Sequence, residues 1–141
     1  MSVGSKTSAS AVPTTGSVTY RGYAGGIYTE GAVSRYAADA TFNVNFGNRT
    51  VAFSTSNQTL TSVLTGITSA TNMLQISGVM SYGLGSNKFS GNLTANGRTS
   101  LLPLSGTGSG TFYGPTANEL GGTFFLRGST TTLVGGFGGK Q

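Results

Sequence analysis

From Ser17 onward the chain alternates between apolar and polar positions with a period of two, the pattern of strands with one buried face. Val18, Tyr20, Gly22 and Ala24 share one face, and Thr19, Arg21 and Tyr23 share the other. The clearest stretch runs from Ala38 to Phe46, where Ala40, Phe42, Val44 and Phe46 alternate with Asp39, Thr41, Asn43 and Asn45. Gly47-Asn48 then predicts a tight turn, and Val51 and Phe53 begin a third strand. Alternation returns at Leu74, Ile76, Gly78 and Met80, then at Phe89, Gly91 and Leu93, with a turn over Gly83–Asn87 between them. Asn96-Gly97 is a strong hairpin signal, and Pro103 among Leu101, Leu102 and Leu104 marks an edge or a break. Further strands are predicted over Gly106–Tyr113, Gly122–Leu126 and Leu133–Phe137.

One segment resists the alternation. Between Asn57 and Thr71, Leu60, Val63, Leu64 and Ile67 have helical spacing, but the residues between them are Thr and Ser, which disfavour helix interiors. The expectation is a long connection with some strand character, with a short helix as the alternative. Eight strands joined mostly by short turns predict an all-β fold, a soluble eight-stranded antiparallel up-and-down β-barrel. Gly22, Gly78, Gly91, Gly108 and Gly135 fall inside strands, where an interior glycine is useful if a tight barrel must bend and admit large inward rings. A membrane barrel would place its apolar face outward and carry aromatic girdles. The Thr, Asn and Ser faces and the Gly139-Lys140-Gln141 ending favour the soluble form.

Composition narrows the picture. The 141 residues include 24 Gly and neither Cys nor His, so disulfides, thiolate metal sites and the usual proton shuttle are excluded. Only 8 Lys or Arg and 3 acids are present, giving a net charge of +5. No apolar run is long enough for a transmembrane helix. Residues 1–16 read as a flexible Ser/Thr/Gly-rich linker rather than a signal peptide, and 17–141 as the barrel domain, together part of a longer exported protein.

The C-terminal third carries the string Gly110-Thr-Phe112-Tyr113-Gly114-Pro115-Thr-Ala-Asn-Glu119-Leu-Gly121-Gly122-Thr-Phe124, followed by Gly135-Gly-Phe-Gly-Gly-Lys140. Physically this is a strand–turn–strand corner. Phe112 and Tyr113 take opposite faces, Gly114-Pro115 ends the strand, Thr116 to Glu119 make one helical turn with Glu119 accepting backbone N–H groups, and Gly121-Gly122 restart extended chain. The string also resembles the barrel domain of the transferrin-binding-protein-B-like family of Gram-negative surface lipoproteins. Ala38-Asp39, Phe46-Gly47 and Phe89-Ser90-Gly91 resemble that family's earlier strands, so the resemblance spans roughly Gly16 to Lys140. It implies a location outside the cell or at its outer-membrane surface, and ligands such as transferrin, lactoferrin, complement regulators, haemoglobin or haem. The second domain of larger members and the lipid-anchor cysteine are not in this chain.

The chemistry of the residues favours binding over catalysis. The acids are Glu30, Asp39 and Glu119; Asp39 and Glu119 could approach each other in a barrel as an acid–base pair, but turn and strand hydrogen bonding is the favoured role, three scattered acids do not suit a metal site, and no His can activate a serine. No cofactor is expected. Haem held by Tyr20, Tyr23, Tyr28, Tyr36, Tyr82 or Tyr113 would be unsupported by His, and strand tyrosines more often serve packing. The basic residues are spread singly, which argues against nucleic acid. A protein partner, either a host or environmental protein or another domain of the same chain, fits best. Its contacts are expected on barrel-end loops at Tyr28–Tyr36, Asn57–Thr71 and Arg98–Leu104, with Arg35, Tyr36, Leu60, Leu64, Arg98 and Leu101 as candidates. The alternative is a structural barrel that caps or anchors a larger exported surface protein or adhesin.

Overall fold

The computed structural model describes residues 5–71, 73–96 and 103–141. Nine strands follow in order: β1 (Ser17–Glu30), β2 (Ala32–Asn45), β3 (Thr50–Ser62), β4 (Thr68–Ala70), β5 (Ile76–Ser81), β6 (Lys88–Ala95), β7 (Leu104–Tyr113), β8 (Glu119–Arg127) and β9 (Thr132–Lys140). All pairings are antiparallel. The ring runs β2-β1-β9-β8-β7-β6-β5-β3 and closes through β2–β3, so eight strands form a barrel and β4 extends the β3 edge above β5. Following cross-strand partners from Ile27 through Val134, Phe125, Thr107, Asn92, Val79, Ala52 and Asn43 returns to β1 at Thr19, eight residues from the start. Eight strands with a stagger of eight give a tilt of about 36° and an interior only wide enough for side chains.

That narrow interior explains the composition. Tyr20, Phe42, Phe53, Phe89, Phe112 and Phe137 all point inward and are buried. Phe42 and Phe53 stack at 4.9 Å, and the Phe137 ring sits 5.0 Å from Phe53 and 5.3 Å from Phe42. Large rings need small neighbours on adjacent strands. A Cβ added to Gly110 would lie 2.5 Å from the Phe89 ring, and one added to Gly122 would lie 2.8 Å from the Phe137 ring. Gly22 faces Gly139, Gly26 faces Gly135, and Gly91 faces Gly108 on neighbouring strands, where backbones crowd the space a side chain would need.

Two corrections concern the segments expected to be loops. Residues 28–36 are not a loop: β1 and β2 stay paired to Glu30 and Ala32 and turn at Gly31, whose φ of +74° suits glycine. Residues 57–71 form neither a helix nor a long connection. β3 continues to Ser62, turns through Gly66 and returns as β4. The helical spacing is a product of that turn, with Leu60 inward on β3 and Val63, Leu64 and Ile67 exposed around it. A β-bulge at Asn57, with φ of +54°, precedes it, where the β2–β3 register slips. The slip changes which residues face inward, from Val51, Phe53 and Thr55 to Gln58 and Leu60. Gly97 and residues 98–102 of the expected hairpin lie outside the described residues.

The motif corner is built as expected in outline and differently in detail. Phe112 is buried, Gly114 has φ of +92°, and Ala117 is buried with φ of +60°. The turn is held by Asn118, whose Oδ1 accepts from the Thr116 N–H and hydroxyl, rather than by Glu119. Glu119 is exposed, opposite Tyr113 and Lys140. The Tyr20 hydroxyl donates to the Ala117 carbonyl, which ties β1 to the corner from within.

The described part of the segment before β1 makes defined contacts with the barrel. The Thr7 N–H donates to the Phe112 carbonyl at 2.9 Å, the Gly114 N–H donates to Ser5 at 2.8 Å, and Asn87 Nδ2 donates to Thr7 at 2.6 Å. Thr7 and Val12 are buried, so this segment crosses the Ser17 end of the barrel as a cap.

Two outcomes follow. Gly110→Ala forces a methyl against the Phe89 ring and the Gly121 carbonyl and should destabilise the fold by about 1–3 kcal/mol, whereas Gly83→Ala, in open space, should change it by less than about 0.5 kcal/mol. Urea unfolding of both variants measures this. The second concerns Tyr36, whose hydroxyl donates to the Leu74 carbonyl at 2.9 Å. Burial pushes its pKa from 10.0 up to about 12, against a hydrogen bond with Thr55 that lowers it. A raised folded-state value stabilises the fold fully below pH 10 and is lost as pH rises towards about 12. Stability measured against pH should therefore decline through that window, and Tyr36→Phe should flatten the decline.

Candidate interaction surface

The two barrel ends differ. The Ser17 end is capped by the N-terminal segment, while the Glu30 end projects the β1–β2 and β3–β4 hairpins. Of the ten exposed large hydrophobic residues among the described residues, seven gather on the outside near the Glu30 end: Ile27, Val33, Val63, Leu64, Ile67, Phe125 and Val134. Strand register makes them contiguous. Phe125 faces Val134, Val134 faces Ile27, and Ile27 faces Arg35. One level nearer the tip, Arg127 faces Thr132, Thr132 faces Thr29, and Thr29 faces Val33. The Val63 N–H donates to the Val33 carbonyl at 3.2 Å, which brings the β3–β4 tip against β2. Directly opposed side chains lie about 5 Å apart and diagonal ones about 7–8 Å. The result is an apolar belt flanked by Arg35 and Arg127.

The electrostatics are simple. Glu30, beside the β1–β2 turn, accepts a hydrogen bond from the Tyr28 hydroxyl at 3.1 Å. Asp39 lies further down β2 and accepts from Asn57 Nδ2 at 2.7 Å. Glu119 belongs to the opposite end. The belt therefore joins apolar surface to two guanidinium groups, a pairing suited to protein contact, where Arg is enriched and acids are depleted at interface centres. No group of three acidic side chains that could hold a metal ion forms among the described residues.

The six candidates from the sequence divide sharply. Arg35 is exposed on the belt, and Leu64 is 86% exposed at the β3–β4 tip. Tyr36 and Leu60 are corrected as surface contacts: at 2% and 7% exposure they face inward, because Tyr36 follows the inward register of β2 and the Asn57 bulge turns Leu60 to the same side. Arg98 and Leu101 lie outside the described residues. Sequence reasoning missed Ile27, Phe125 and Val134, which sit on the outward face of their strands, while Val33 falls within the expected Tyr28–Tyr36 segment. A signal was present in Phe124-Phe125: adjacent residues of a strand face opposite sides, so one of these rings has to point outward.

The inward tyrosines do not converge on one site. Tyr20 bonds at the motif corner, Tyr36 bonds Leu74 and Thr55, and Tyr28 bonds Glu30.

Comparison with known proteins places this architecture. The family described as the C-lobe and N-lobe beta barrels of Tf-binding protein B matches residues 12–141. Transferrin-binding protein B of Haemophilus influenzae Rd is 32% identical over 149 residues, which cover 92% of this chain and 22% of the relative. A second Haemophilus influenzae strain gives 33% identity, again over 22% of the relative. The chain thus spans less than a quarter of the curated relatives it matches. Among solved structures, isotype 1 transferrin-binding protein B from serogroup B Neisseria meningitidis superposes with a TM-score of 0.65 at 25% identity, covering 98% of this chain and 27% of that one. The Haemophilus parasuis protein superposes with a TM-score of 0.69 at 21% identity over 96% of this chain and 28% of that one. On the family match and the curated relatives together, this chain belongs to the family of transferrin-binding protein B β-barrels.

Proposed function

We propose that this barrel is a non-enzymatic, surface-exposed binding domain of a transferrin-binding-protein-B-like lipoprotein at the bacterial outer membrane, and that it engages a protein partner outside the cell. The observation that carries the reading is the gathering of seven exposed apolar residues beside Arg35 and Arg127 at the Glu30 end. Burying a side chain such as Leu64 or Ile67 against a partner contributes roughly 1.5–3 kcal/mol, and a charged guanidinium adds directional hydrogen bonds. The curated relatives are named for binding transferrin, which makes transferrin the first partner to test. The rigid barrel supplies a fixed platform from which the hairpins present this surface.

The packed, ring-filled interior favours a second reading, a structural module that supports other parts of a larger surface protein. The two separate in one assay. Immobilised domain is exposed to iron-loaded and iron-free transferrin and to whole serum, with binding read by surface plasmon resonance. The binding reading expects capture of a serum protein, weakened at least about tenfold in Leu64→Ser/Ile67→Ser, since two buried apolar contacts exceed 1.4 kcal/mol. Unfolding should shift little in that variant, because both side chains are exposed. Absence of any serum partner, with the domain folded, contradicts the binding reading and leaves the structural one.

A further inference from the structure

The basic residues that stand singly along the chain gather at one end of the barrel. Among the described residues, Lys6, Arg21, Arg49, Lys88 and Lys140 all lie at the Ser17 end, against one carboxylate there, Glu119. Arg21 faces Lys140 directly across β1 and β9, Lys140 faces Glu119, and Glu119 faces Tyr113, which bridges to Lys6. Lys6 and Lys88 border one outer groove, and Arg49 lies in the turn between β2 and β3. Like charges set opposite each other on neighbouring strands are unfavourable, and a single carboxylate answers these cations. Arg35 and Arg127 are at the far end: Ile27, the partner of Arg35, lies about 20 Å up β1 from Arg21 at the usual strand rise. That exceeds the screening length of about 8 Å at physiological salt, so the basic end acts as a separate patch.

The same end carries an apolar tip. Leu84, in the turn between β5 and β6, is 79% exposed, and Gly83 and Gly85 beside it have open space around them. The Ser86 N–H donates to the Gly83 carbonyl at 3.1 Å and Gly85 takes a φ of +76°, so the turn that presents Leu84 is closed and fixed. Leu84 and Arg49 border the same hollow, and Asn87, the residue before Lys88, holds the N-terminal segment through Thr7. A protruding apolar side chain ringed by cations suits a lipid surface, where the cations meet the phosphates and the apolar group passes below them. A nucleic acid would use the charges and leave Leu84 in water. We propose that the Ser17 end docks on a phosphate-bearing lipid surface, with Leu84 inserted among the headgroups and Lys6, Arg21, Lys88 and Lys140 over the phosphates. Such docking stands the barrel on end and turns the apolar belt away from the surface. It rests on the charge and exposure of this end, and the identity of any partner of the belt does not enter.

Vesicle co-sedimentation of the intact chain tests this, with no serum protein present. Vesicles of phosphatidylglycerol mixed into phosphatidylcholine are compared with vesicles of phosphatidylcholine alone. The expected result is binding to the anionic vesicles only, reversed by raised salt. Lys6→Gln/Lys88→Gln should weaken it at least about tenfold, since each cation near an anionic surface strengthens binding about fivefold. Arg35→Gln/Arg127→Gln, which lowers the net charge equally at the other end, should leave binding unchanged. Leu84→Ser should weaken it about fivefold without moving the thermal melt, because the side chain is exposed. Absence of binding to anionic vesicles, equal binding to neutral ones, equal weakening by the two double variants, or unchanged binding of Leu84→Ser would each overturn the proposal. The wild-type comparison of the two vesicles decides the matter alone should a variant fail to fold. A negative result here leaves the serum assay of the belt untouched, since the two share no component but the chain.

Discussion

Closure of the sheet at a stagger of eight is the constraint from which the rest of the molecule follows. A ring of eight strands at that stagger encloses a column too narrow for a full-sized side chain at every inward position. The chain meets the limit by setting rings against glycines on neighbouring strands, Phe89 over Gly110 and Phe137 over Gly122. Each ring covers the backbone that its glycine leaves bare, and each glycine gives the space that the ring fills. The abundance of glycine, costly for a strand in isolation, is a packing requirement here.

A closed, filled barrel moves function to its outside and its ends. The interior is occupied by aromatic stacking and by tyrosine hydroxyls committed to backbone carbonyls at Ala117 and Leu74. One end is covered by the N-terminal segment. At the other, β3 runs on past β5 with β2 paired beside it, and the bulge at Asn57 accompanies its change of partner from β5 to β4. The apolar belt with its two arginines lies on the outward faces of the paired β8, β9, β1 and β2 and on the adjoining β3–β4 turn, where apolar side chains suit a surface that a partner covers.

Period-two alternation made the eight barrel strands legible, though not the short β4, because a half-buried strand writes its inward face directly into the order of residues. Phe42, Val44 and Phe46 are buried as that order requires. The motif from Phe112 to Phe124 carried the family because its glycines and proline fix a backbone path. What the alternation hid has physical causes. A bulge at Asn57 changes the inward set, and beyond it the β3–β4 turn exposes Val63, Leu64 and Ile67, so an inward Leu60 followed by these mimicked a helix. Tyr36 looked like a loop residue because the β1–β2 hairpin turns on a single glycine, with none of the usual two-residue turn signal. The docking of residues 5–12 left no mark in composition, since backbone groups of small polar residues make those bonds.

The central claim is a closed ring, and closure rests on the β2–β3 ladder as much as on any other pair. Native-state hydrogen exchange of the intact chain tests it most directly. A closed barrel predicts that amides of Phe42, Val44, Val51 and Phe53 exchange only through the same global opening as amides of β7, β8 and β9, with one shared dependence on denaturant. Fast, denaturant-independent exchange along β2 and β3, with slow exchange elsewhere, would describe an open sheet and contradict the account.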